Sequence, residues 1–187
     1  VFSDAVVVDR DLKVLKESFF KAGHLNPKRT DLPHLLMENN LIGCTVMFNC
    51  ALRKVLKSSR LPREAKFHDW WVALIAASLG RIGYLDEKTL YYRQHGGNVV
   101  GNSGFYSYVK NRVTSLKRQK ESLLLLQKQA GEFGSLYGGL LSADVRKIVD
   151  TFANLNQAGF FKRRYQLFRY GFFKTGLLRN IGLLLII

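Results

Sequence analysis

The sequence predicts an α/β fold that passes, after about residue 101, into a basic and mainly α-helical region. Three observations carry this. A β-branched run, Val6 to Val8, ends at Asp9-Arg10-Asp11, as a buried strand ending in a turn would. Strand-like and helix-like stretches then alternate through the first hundred residues, the pattern of an α/β layer. Beyond Gly101 to Gly104 the apolar spacing becomes helical and lysine and arginine accumulate.

In chain order, the opening "VFSDAVVVD" is a strand already under way at Val1, and the chain is read as the later part of a longer protein. Residues 21 to 34 are polar, contain Pro27 and Pro33, and read as a loop. "DLPHLLMENN" fits a short helix. "LIGCTVMFNCALRKVL" reads as a strand interrupted near Gly43 that leads into another helix. Residues 69 to 79 form a helix apolar nearly all round, hence buried. "GRIGYLDEKTLYYRQHGGNVVG" reads as a strand, a turn at Asp86-Glu87, a second strand through Tyr91-Tyr92, and a loop rich in Gly and Asn.

From Phe105 a helix is expected, with apolar residues at 109, 113, 116, 123, 124 and 126, and the four glycines of 131 to 139 should end it. Ser142 stands where an N-cap would open the next helix. The tail interleaves Phe, Tyr and Leu with six Lys/Arg, and its last apolar stretch, Ile181 to Ile187, is far shorter than the roughly 20 residues a spanning helix needs.

Composition narrows the class. A hydrophobic content of 47%, with 13 Phe and 8 Tyr, excludes a disordered chain. Two cysteines, Cys44 and Cys50, give no disulfide framework and favour a reducing compartment. The net charge of +15 is uneven: residues 1 to 100 carry 15 Lys/Arg against 10 Asp/Glu, and the remainder 14 against 4. An excess of this kind calls for an anionic partner. For the basic half an anionic membrane surface is favoured, helical packing on the core comes next, and nucleic acid is the least favoured.

Three constellations could carry chemistry. Asp69 heads a buried helix, where the helix dipole favours its ionised form. A first-turn carboxylate is ordinary capping, yet a general base must also be ionised and within reach of a hydroxyl. His95, in "YYRQHGGNVVG", enters a loop where Gly96 and Gly97 permit close backbone approach, and its imidazole could bind a divalent metal. Arg93 could present a planar donor fork to a phosphate. Gly43, in "NNLIGCTVMFN", marks a kink or a place where a ligand nears the backbone beside Cys44 and Thr45.

The order Gly-Cys-Thr, then His-Asp-Trp-Trp about 25 residues on, then Tyr-Arg-Gln-His-x-x-Asn about 25 further, resembles the second half of a family-2 glycosyltransferase, closest to bacterial rhamnosyltransferase-like members. The resemblance covers residues 1 to 101. It implies the C-terminal part of a GT-A nucleotide-sugar-binding sandwich; the basic, aromatic composition of 102 to 187 is what marks that region as membrane-associating. The implied activity is inverting transfer of a sugar, rhamnose among those it suggests, from a nucleotide-sugar donor to a lipid-linked or polysaccharide acceptor. The implied setting is cytoplasmic, peripheral on the inner face of the membrane, in surface-polysaccharide synthesis. Asp69 takes the place of the catalytic base. Gly43, Cys44 and Thr45 fall on the loop along the donor sugar, and His68, Trp70 and Arg93 line the site. His95 completes the contact to Mg²⁺ or Mn²⁺ or to the diphosphate. The family's Asp-x-Asp motif is not found here: "DRD" at 9 to 11 follows the strand and is rejected, so this stretch alone is expected to be inactive. The alternative is a non-catalytic basic module that binds membrane or nucleic acid.

Overall fold

In the computed structural model, residues 1–94 and 116–187 are described. The chain is mixed α/β, with a three-stranded sheet. Strand β1 (Phe2–Val8) is central, with β2 (Val14–Lys16) antiparallel on one side and β3 (Tyr84–Arg93) parallel on the other. Val7 and Val8 are buried and Val6 partly so, and Asp9 turns the chain by accepting the backbone N–H of Asp11 at 2.8 Å and of Lys13 at 2.9 Å.

Parallel β1 and β3 need a long crossover. Residues 17 to 83 supply it, through helices α1 (Phe19–Gly23), α2 (Leu32–Met37), α3 (Cys50–Lys57) and α4 (His68–Leu79). Helix α1 falls partly within the stretch expected to be loop. It forms because Ser18 caps Lys21 N and because buried Asp4, on β1, accepts the backbone N–H groups of Phe19 (3.1 Å) and Phe20 (3.3 Å). Asp31 caps α2 through His34 N at 3.1 Å, which leaves Pro33 in the first turn, where its missing N–H costs nothing.

Two other elements differ from expectation. The segment at Gly43 is a 3₁₀ turn (Gly43–Thr45), not a strand. The expected turn at Asp86-Glu87 is an irregularity within one strand: Ser3 pairs with Leu85 and Asp4 with Lys88, so two residues of β3 bulge outward without reversing it.

The second half packs on the same core. Helix α5 (Leu116–Tyr137) ends within the glycine-bearing stretch 131 to 139, as expected, but only after running through Gly131 and Gly134. A Cβ on Gly134 would sit 3.4 Å from Asp150 Oδ1 and from Val149 Cγ1 of α6 (Ala143–Ala153). The glycine therefore serves close helix–helix approach rather than termination. The helix ends at Gly138, where a side chain would collide with the Gly134 carbonyl. Ser142 caps α6 as read, accepting from Val145 N at 3.4 Å. Phe133 and Tyr137 of α5 lie with ring centroids 5.6 and 6.1 Å from Trp71 of α4. One apolar cluster thus reaches from Phe2 to Ile187.

Helices α7 (Phe160–Tyr170) and α8 (Leu177–Ile186) complete the chain. The link between them is tied to α2. Buried His34 donates from Nδ1 to Phe173 O (2.7 Å), while Glu38 accepts Thr175 N (2.9 Å) and Arg179 (2.5 Å). Burial, followed by the Arg29 charge, lowers the His34 pKa below its ordinary value near 6.5.

Candidate functional site

The N-terminus of α4 meets the turn at Gly43. Its N-cap, Phe67, offers no side-chain bond, so the end is polarised but not closed by a capping hydroxyl or amide. Asp69 sits in the first turn and is half-buried. Its Oδ1 accepts the backbone N–H of Trp70 at 2.8 Å. Its Oδ2 faces the turn: a Cβ placed on Gly43 would lie 3.4 Å from that oxygen and 2.8 Å from Nε2 of His68. One carboxylate oxygen is therefore held by the backbone, and the other looks onto a surface that only a glycine leaves open.

Cys44 shares this surface. Its thiol is raised above its ordinary pKa by desolvation first and, with a smaller contribution, by the negative charge of Asp69, against a backbone hydrogen bond that lowers it. At neutral pH it is a thiol, a contact group rather than a nucleophile. Thr45 fixes the turn: its hydroxyl donates to Ile42 O at 2.9 Å and accepts Ser3 N at 3.4 Å. Extended residues beyond it pair with the chain start, Met47 N to Val1 O at 2.9 Å.

The structure thus brings Gly43, Cys44, His68 and Asp69 together, with His68 exposed and Asp69 behind it. It turns Trp70 the other way. That indole is buried and donates Nε1 to Leu35 O at 2.5 Å, so Trp70 anchors α4 to α2. Lys66 lies over its ring face, 5.7 Å from the centroid. Arg93 closes β3 opposite Val8. Five residues of β1, about 17 Å at the rise of a parallel strand, separate Val8 from Ser3, where the turn is tied. Arg93 therefore marks the other end of the sheet. His95 lies outside the described residues.

The loop that delivers Asp69 is held from the second half of the chain. Glu132 of α5 accepts Arg63 N (2.8 Å) and Glu64 N (2.6 Å) on one oxygen and Arg60 (2.8 Å) on the other. Gln129, one turn earlier, accepts Lys66 N at 2.8 Å, and Ser59 bonds the Tyr137 hydroxyl at 2.8 Å. Sequence reasoning missed this clamp, because its partners lie more than sixty residues apart; the one local sign is polar residues, Gln127, Gln129 and Glu132, on the inward face of the helix.

Among the described residues no group of three or more His, Cys, Asp or Glu converges to hold an ion. The donor set implied by the resemblance is His95 plus an Asp-x-Asp motif that this sequence lacks, so no chemical step is routed through a metal. Among the same residues, no helix is long and apolar enough to cross a membrane. No protein-family model, curated protein or solved structure matches the chain.

Proposed function

We propose that the chain is the C-terminal half of an inverting, GT-A-type glycosyltransferase, with Asp69 as its general base. The observation that supports this most directly is the meeting of the Gly-Cys-Thr turn with the His-Asp head of α4, two stretches about 25 residues apart whose likeness to the family was read from sequence. In the reaction, the Asp69 carboxylate takes the proton of an acceptor hydroxyl. The oxygen so freed attacks the anomeric carbon of the donor sugar. The bond from that carbon to the nucleoside diphosphate breaks on the opposite face, and the diphosphate leaves with the bonding pair. The fixed Oδ1 leaves Oδ2 to receive the proton.

The roles divide accordingly. Gly43 leaves room beside the base, Cys44 offers a neutral contact to the sugar, and Thr45 holds the turn. His68, exposed at the rim, is placed to meet the acceptor. The acceptor class is a lipid-linked or polysaccharide hydroxyl.

The test joins this chain to a donor-binding half and supplies nucleotide-sugars, nucleoside diphosphate-rhamnose among them, with a lipid-linked saccharide acceptor. Transfer with an inverted anomeric configuration, read by NMR of the product, is expected. Retained configuration, or no transfer from any donor while the donors still bind, would overturn the proposal.

A further inference from the structure

The last two helices leave an apolar face uncovered. On α7, Phe161, Tyr165 and Phe168 follow one another at i, i+4 and i+7 and all point outward, while Leu167 on the opposite face is fully buried. On α8, Leu177, Leu178 and Leu185 are exposed, while Leu183 and Ile187 face the core. These are not partial exposures: Phe161 is 83%, Leu178 78% and Leu177 76% accessible. Arg164 holds the two helices together. Its guanidinium stacks 3.4 Å over the Phe160 ring and donates to Leu184 O at 2.9 Å.

The charge around this face has one sign. Between residues 151 and 187 there are six Lys/Arg and no Asp or Glu. Lys162 and Arg169 stand exposed beside the α7 stripe. Helices of 11 and 10 residues are about 16 Å long, half the thickness of a bilayer core. They can therefore lie in the interface but not span it.

We infer that the α7–α8 face docks on an anionic lipid bilayer, with Phe161, Phe168, Leu177 and Leu178 inserted below the headgroups and Lys162 and Arg169 at the level of the phosphates. Amphipathic helices with this division of residues bind in the plane of the interface, and basic residues near a negative leaflet add to the attraction. A nucleic-acid partner would account for the bases and the aromatic rings but not for three exposed leucines on α8. The inference holds whether or not the chain transfers sugar, because lipid binding needs no donor.

The test is flotation of the whole chain with phosphatidylcholine vesicles, with or without one-third phosphatidylglycerol. Binding to the anionic vesicles is expected to exceed binding to the neutral ones by at least about tenfold and to fall at high salt. The Phe161→Ser/Leu178→Ser double variant, both sites largely exposed, should keep the wild-type melting temperature and lose about tenfold or more in binding. A Phe161→Trp variant should show a blue-shifted emission when anionic vesicles are added. Absence of flotation, equal binding to both vesicle types, or wild-type binding by the double variant would overturn the inference. So would a dimer in light scattering that the double variant converts to monomer, since a second copy would then cover the face.

Discussion

Glu132 offers the sharpest test of how the two halves of the chain act on one site. Its side chain is 7% exposed, and it accepts two backbone N–H groups from the loop before α4 together with the Arg60 guanidinium. Hydrogen bonds to a charged acceptor contribute about 1.5–3 kcal/mol each. The Arg60 pair adds little, because Arg60 is 53% exposed and a surface ion pair is worth about 0–1 kcal/mol. Glu132→Ala frees the two N–H groups to find water in part, so the loss should be about 2–4 kcal/mol. Glu132→Gln keeps one good acceptor and should lose about half as much. In urea, with a slope of about 2 kcal/mol/M, the alanine variant's midpoint should fall by about 1–2 M with the slope unchanged.

The pH dependence supplies a second handle. Burial pushes the Glu132 carboxyl up, but the N–H groups of Glu64 and Arg63 and the Arg60 side chain together outweigh it and hold the carboxyl below its ordinary value of 4.5. The unfolded chain therefore binds a proton that the folded chain refuses. The stabilisation is complete above about pH 4.5 and is lost as pH falls through the lower folded value. The gap between wild type and Glu132→Gln should close on acidification. A difference under about 0.5 kcal/mol at neutral pH, or one that does not change with pH, would refute the clamp.

Three more predictions follow from the site and its anchors. Cys44 should alkylate slowly at neutral pH, and Asp69→Asn should speed it by removing a charge that raises the thiol, with mass spectrometry resolving it from Cys50. Gly43→Ala should lower stability by less than about 1 kcal/mol, because exposed His68 can swing aside, yet cut sugar transfer by about tenfold as the methyl group crowds Asp69. His34 has its folded pKa lowered, so its contribution is complete above about pH 6.5 and is lost as pH falls toward the folded value; melting temperature should drop across that window, and His34→Gln should flatten the slope.

Local signals were legible in the sequence and long-range ones were not. The Val6–Val8 run, the stretch "DLPHLLMENN", and Ser142 before an amphipathic stretch each specify their element within a few residues, and each element forms as read. Helix α1 escapes such reading because half of its capping comes from Asp4, fifteen residues earlier on a strand. The glycines of 131 to 139 do end α5, but not at the first of them: glycine weakens an isolated helix, whereas here Gly134 admits a neighbouring helix. At the site, Gly43, His68 and Asp69 converge, but the inward turn of Trp70 depends on a carbonyl of α2. Arg93 is carried to the far end of β1 by strand pairing, which no local pattern encodes.

Asp69→Asn in the chain joined to a donor-binding half addresses the proposal that Asp69 is a general base most directly. The amide keeps the size of the carboxylate and an oxygen for Trp70 N, but it cannot take a proton from the acceptor. Single-turnover sugar transfer should fall by at least about a hundredfold, the lower range for loss of a general base, with donor affinity unchanged within about threefold. Transfer at the wild-type rate would contradict the claim and leave Asp69 a structural residue of the first turn.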